Sequence, residues 1–296
     1  ALRRQRQMCI RDRSDVYRRL MHWHATLGES GDRSMLEILD SQHAEANHQF
    51  VRFVEDHYEA WMTGLEQGPV LSHEVLSKWL PDVLEGAQGR PVFLVVIDNL
   101  RWDQWRSIAP TLRPKWNVVE ESTYFSILPT ATQYARNALF AGMTPGDIAR
   151  LLPNLWIAEN EQGSKNANEE ALQQNLFSRL GVTGKTSYHK ITNLQSGKRL
   201  ADRFHELKGQ SVVTLVYNFV DMLSHARSEM EVIKELADDE AAYRSLTQSW
   251  FRHSPLKEMM DAMADMGGRM ILTTDHGTMR VDHPVEVRGD RETNNN

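Results

Sequence analysis

Three short apolar runs constrain the fold of this chain most, because each one leads to an aspartate. Val92–Ile97 runs into Asp98, Ser211–Tyr217 is followed by Asp221, and Arg269–Thr274 runs into Asp275. Each run is entered from a break: residues 86–91 (Gly-Ala-Gln-Gly-Arg-Pro), Gly209, and Gly267-Gly268. An unalternating run rich in β-branched residues and bounded by Gly or Pro predicts a strand buried on both faces, as in a parallel sheet. Helix-forming sequence separates the runs, notably over residues 226–266. The expected fold class is therefore α/β, a mostly parallel sheet flanked by helices, spanning residues 90–296.

Upstream, residues 15–89 read as a small helical domain. Phe50, Phe53, Val54, Tyr58, Trp61 and Met62 recur at three- and four-residue steps, the one-face pattern of a helix. Residues 28–31 (Gly-Glu-Ser-Gly) and 64–69 (Gly-Leu-Glu-Gln-Gly-Pro) mark turns between helices. The first 19 residues hold seven Arg, either a basic arm or a solvated charge run. Residues 1–14 are read as a disordered or artefactual leader.

Composition excludes several classes. The net charge of −6 argues against a protein that grips nucleic acid mainly by charge. A single Cys in 296 residues rules out an intrachain disulfide framework and a Cys-based zinc finger. It fits a reducing compartment, and a cytoplasmic location is expected. No stretch approaches the ~18 apolar residues of a membrane span.

Ligands of open parallel sheets bind beyond the C-terminal strand ends, so Asp98, Asp221 and Asp275 are expected to converge on one crevice. Two of them carry a nearby imidazole, His225 four residues after Asp221 and His276 directly after Asp275. Carboxylate with imidazole is zinc-type ligand chemistry. One such Asp alone is ordinarily a helix cap or turn residue; the joint pattern points to a metal site. A fourth segment, Phe125–Gly142, reads as a short strand, a Pro turn and a helix with Thr132 near its start. There the free N–H groups and the helix dipole favour anions. A Thr hydroxyl held at a metal loses its proton near neutral pH and becomes a nucleophile. The alternative is that Thr130 and Thr132 are ordinary caps.

These residues resemble a known family. Residues 35–47 (MLEILDSQHAEAN), 69–73 (PVLSH), 95–105 (VVIDNLRWDQW), 125–142 (FSILPTATQYARNALFAG), 221–225 (DMLSH) and 273–277 (TTDHG) are similar to the PglZ-domain output region of PorX-type response regulators. That region belongs to the alkaline phosphatase superfamily. The resemblance covers nearly all of the chain from residue 15. It implies a zinc-dependent phosphodiesterase acting on nucleotide or oligonucleotide phosphodiesters. The superfamily's Pro-Thr-x-Thr segment matches Pro129–Thr132 and makes Thr132, rather than Thr130, the implied nucleophile.

Two zinc ions per complete domain are implied, one on Asp98, Thr132, Asp275 and His276. The other takes Asp221, His225 and a later His. His283 does not fit that last position, so the second set is expected to be one ligand short and the chain to be the middle of a longer protein. Arg136 and Asn137, about one helical turn after Thr132, are candidate contacts to substrate phosphate, against a solvated Arg and a capping Asn. The resemblance further implies a receiver domain in cis, absent from this chain, homodimer formation, and a role in regulating type IX secretion. Residues 15–83 then link receiver to enzyme. A catalytically silent scaffold that signals through protein contacts is the competing function.

Overall fold

A computed structural model describes residues 33–158 and 161–278, with residues 19, 20, 23, 26 and 27. The predicted leader and His283 lie outside the described residues. Among the described residues four parallel strands form one sheet: β1 (Val92–Ile97), β2 (Thr186–Ile191), β3 (Val212–Tyr217) and β4 (Arg269–Thr273), in the order β2-β3-β1-β4. Val92 is in register with Val212 on one side and Arg269 on the other. The three runs ending near aspartates thus become three adjacent strands with β1 in the middle.

The sequence reading does not anticipate β2. Its residues (TSYHKI) are polar, it lies at the edge of the four strands, and only Ile191 is fully buried. β4 is the other edge of these four strands and is only partly buried, not covered on both faces as its apolar run predicts; β2 differs in carrying one aliphatic residue, so it gives no such signal.

In chain order the α-helices among the described residues are α1 (Arg33–Met62), α2 (Val75–Ala87), α3 (Trp102–Ile108), α4 (Thr132–Ala141), α5 (Pro145–Leu151), α6 (Glu169–Arg179), α7 (Leu194–Asp202), α8 (Phe219–Glu229), α9 (Glu231–Leu236), α10 (Glu240–Arg252) and α11 (Pro255–Asp265). Strand side chains alternate between the two faces of the sheet. Phe93, Val95, Ile97, Val213 and Leu215 share a core with Phe251 of α10 and with Met259, Met260 and Met263 of α11. Trp105 packs against the same core, so it serves to seat α3. Leu94, Val96 and Val216 share the second core with Leu139 and Phe140 of α4, Leu172 and Leu176 of α6, and Leu76 of α2. The boundary read from sequence after residue 89 puts α2 with the helical region; its packing puts it with the sheet.

Helix α4 is buried from Tyr134 to Ala141 and stops at Gly142, whose φ of 58° supplies the left-handed cap. Its N-terminal half meets the end of α1. Trp61, Leu71, Ile127, Tyr134, Ala135 and Ala138 form a separate core, with Phe53, Tyr58 and Met62 against it. The amide of Leu128 donates to the Tyr58 hydroxyl at 2.7 Å. The strand expected near residue 125 is reduced to a single bridge between Phe125 and Leu71.

Candidate metal and nucleophile site

Asp98 follows β1 directly, and its amide continues the ladder by donating to the Tyr217 carbonyl at 2.9 Å. Asp275 lies two residues beyond β4, and His276 follows it. Thr132 is the first residue of α4. The cap of that helix is Ala131, which has no side-chain acceptor, so neither Thr130 nor Thr132 caps it. Thr132 Oγ1 is instead 2.9 Å from His276 Nε2.

The two carboxylates are each held by one oxygen, through different partners. Asp275 Oδ1 accepts from the amides of Asn99 (3.3 Å) and His276 (3.0 Å). Asp98 Oδ2 accepts from Arg136 Nη1 at 2.5 Å. Each acid has one oxygen tied and one left over: Asp98 Oδ1 and Asp275 Oδ2 are buried without a hydrogen-bond partner. Both leftover oxygens face His276 Nε2, at 3.6 and 3.7 Å. Neighbouring ligands of a tetrahedral ion at about 2.0–2.2 Å lie roughly 3.3–3.6 Å apart. The acid and imidazole spacings are close to that figure, and Asp98, Asp275 and His276 are the metal-capable cluster among the described residues. An unsatisfied buried carboxylate oxygen is costly, so two of them facing one imidazole fit a bound cation.

The electrostatic surroundings agree. Burial, and then the charge of Asp98, push the Asp275 carboxyl well above the carboxylate range, against the pull of Arg136. Burial holds the His276 imidazole below its ordinary 6.5, against the pull of Asp98 and Asp221, and so keeps a lone pair free. A cation would take the place of the Asp275 proton and accept the His276 lone pair.

The backbone around the site is braced. Asn99 has φ +61°, a left-handed conformation that Asn tolerates better than most residues. Its side-chain amide reaches Asp221 Oδ1 at 3.2 Å while its backbone amide holds Asp275, so one residue bridges two strand ends. Thr274 Oγ1 donates to the His276 carbonyl and accepts from the Leu100 amide.

The remaining predicted residues are placed differently. Asp221 sits in the first turn of α8, partly open to solvent, and burial followed by Asp98 raises its pKa. His225, one turn later, is 68% exposed and 3.6 Å from Asp221. Arg136 and Asn137 are both buried inside α4. Arg136 is neither solvated nor open to a ligand from outside, since it is only 2% exposed and joins Asp98 to Glu169. Asn137 is no cap; its amide donates to the Lys165 carbonyl, and Asn166 bridges it to the Thr132 carbonyl. Asn99, Asn166 and Glu169 did not stand out in the sequence. Glu169 lies 33 residues from its partner Arg136, and no spacing announces that pair.

Residues 75–296 match the BREX system PglZ alkaline phosphatase-like domain. The chain belongs to the PglZ family. Residues 1–62 match the PorX response regulator linker domain, so α1 belongs to a PorX-type linker joined to the PglZ domain. The combination is that of a response-regulator output region carrying a hydrolase-like domain. A search of curated proteins gives no match. The four-stranded parallel sheet between helices agrees with the alkaline-phosphatase-like fold expected of a PglZ domain. No described helix is long and apolar enough to cross a membrane.

Proposed function

We propose that this PglZ domain is a zinc-dependent phosphodiesterase in which Thr132 is the nucleophile. One observation carries the reading: the leftover oxygens of Asp98 and Asp275 and the Thr132 hydroxyl all border His276 Nε2. Asp98, Asp275, His276 and Thr132 would hold one ion, and Asp221 with His225 would contribute to a second. When bound, zinc lowers the pKa of the hydroxyl it contacts and stabilises charge developing on phosphoryl oxygens.

The chain's own residues supply the rest. Neutral His276 stands 2.9 Å from the Thr132 hydroxyl, and Asp275 is pinned by two amides in the orientation that faces it. Thr132 opens α4, where the helix dipole favours an incoming phosphate. In-line attack by Thr132 Oγ1 forms a bond to phosphorus as the bond to the leaving oxygen breaks. The alcohol product departs with a proton, and water then cleaves the phosphothreonine to free the second product.

The PorX-type linker supports placing this activity under a receiver domain in the same polypeptide, in a cytoplasmic homodimer that regulates type IX secretion. Nucleotide or oligonucleotide phosphodiesters are the proposed substrates. The test is hydrolysis of bis(4-nitrophenyl) phosphate with added zinc. Thr132→Ala should lower kcat by at least about 10³-fold. Acid quench should trap phosphate on Thr132 in the wild-type chain. Full turnover without Thr132 contradicts the mechanism; partner engagement that survives loss of all the zinc ligands favours the regulatory scaffold.

A further inference from the structure

We infer that Glu169, acting through Arg136, is a positioning residue that fixes Asp98 and keeps the guanidinium charge from competing with the metal. The inference rests on the metal reading above. Glu169 is the first residue of α6, 1% exposed, and lies on the far side of Arg136 from Asp98. Its Oε1 accepts from Arg136 Nε at 2.5 Å. Its Oε2 is 3.0 Å from Lys190 Nζ and also accepts from the Tyr188 hydroxyl. Three elements, α4, α6 and β2, therefore meet at one buried carboxylate.

A fully buried ion pair alone is weak support for a role, because such pairs often add little net stability. The direction of this chain of contacts distinguishes it. Arg136 Nη1 ends on Asp98 Oδ2 and stands 3.6 Å from Asp275 Oδ2, the leftover oxygen of the candidate site. Two consequences follow. Asp98 Oδ2 is occupied, so only Oδ1 is left for a cation, and the carboxylate cannot rotate. The guanidinium is also a fixed cation close to where a second cation would bind, and repulsion there is strong at low dielectric. Glu169 draws the guanidinium away from Asp275 and offsets its charge. Partners one step beyond the ligands commonly set metal affinity in this way.

Glu169→Gln keeps the side-chain volume and removes the charge. Zinc affinity of the full chain is measured by competition with a chromophoric chelator, together with the visible spectrum of the cobalt-loaded chain. The control is Thr214→Val, which breaks another buried α6–sheet contact, Gln173 to Thr214 at 2.7 Å, away from the ligands. We expect Glu169→Gln to weaken zinc binding by about 10–100-fold and to change the cobalt spectrum. Thr214→Val should lower Tm and leave both unchanged. A folded Glu169→Gln chain with wild-type affinity and spectrum overturns the inference. If that variant does not fold, Tyr188→Phe removes one donor to Glu169, and the same two readouts decide with a smaller expected loss. A wild-type chain that takes up no zinc instead overturns the metal reading, and the inference with it.

Discussion

Asp275 and Asp221 follow the two strands that flank β1, yet their surroundings differ. Asp275 is completely buried, tied by two amides, and faces a second buried acid whose own partner is a buried arginine. Asp221 lies in the first turn of a helix, partly open, with an exposed histidine beside it. Asn99 touches both. On one side every ligand is held before any ion arrives; on the other the side chains must be ordered when it binds. Ordering a long, exposed side chain costs conformational entropy that a locked one has already lost. The sealed half is therefore expected to bind metal tightly, and the open half weakly.

Arg136 is where the sealed half is most vulnerable. Arg136→Met leaves Asp98 and Glu169 buried without their shared cation, and the expected loss of stability is about 3–5 kcal/mol, read by urea unfolding. A near-neutral result would mean that the sealed half is not held by charge. The pH response is the next largest effect. In the metal-free chain Asp275 keeps its proton at pH values where the unfolded chain has lost it. That contribution to stability therefore falls as pH rises from the ordinary 3.8 through the raised folded value. Zinc takes the place of that proton, so the zinc-induced rise in Tm should grow with pH over this window. A rise in Tm independent of pH would place the ion elsewhere. The smallest effect belongs to the open half: His225→Ala should change stability by no more than about 0.5 kcal/mol, because its ring is mostly solvated. A large loss there would erase the contrast.

Much of this was legible in the sequence, for a physical reason. β1 and β3 are covered on both faces and must be apolar throughout, so their positions and the acids beyond them could be read directly. The parallel pairing of β1 with β4 then brings Asp98, Asp275 and His276 together at neighbouring strand ends. β2 was hidden because its place at the edge permits the polar run TSYHKI, whereas β4 at the other edge kept an apolar one. Arg136 was misleading because arginine is ordinarily a surface residue. Only the fold shows that α4 is enclosed and that Glu169, from a distant polar stretch, neutralises the arginine inside it. Asn99 carried no signal either, since its role depends on a left-handed backbone that the sequence does not declare.

The most direct measurement is zinc per chain, by elemental analysis after dialysis against trace zinc, for the wild type and Asp275→Asn. One tightly held ion is expected in the wild type and none in the variant, with both chains folded by circular dichroism. A folded wild-type chain without zinc, or an Asp275→Asn chain that keeps it, would contradict the site described here.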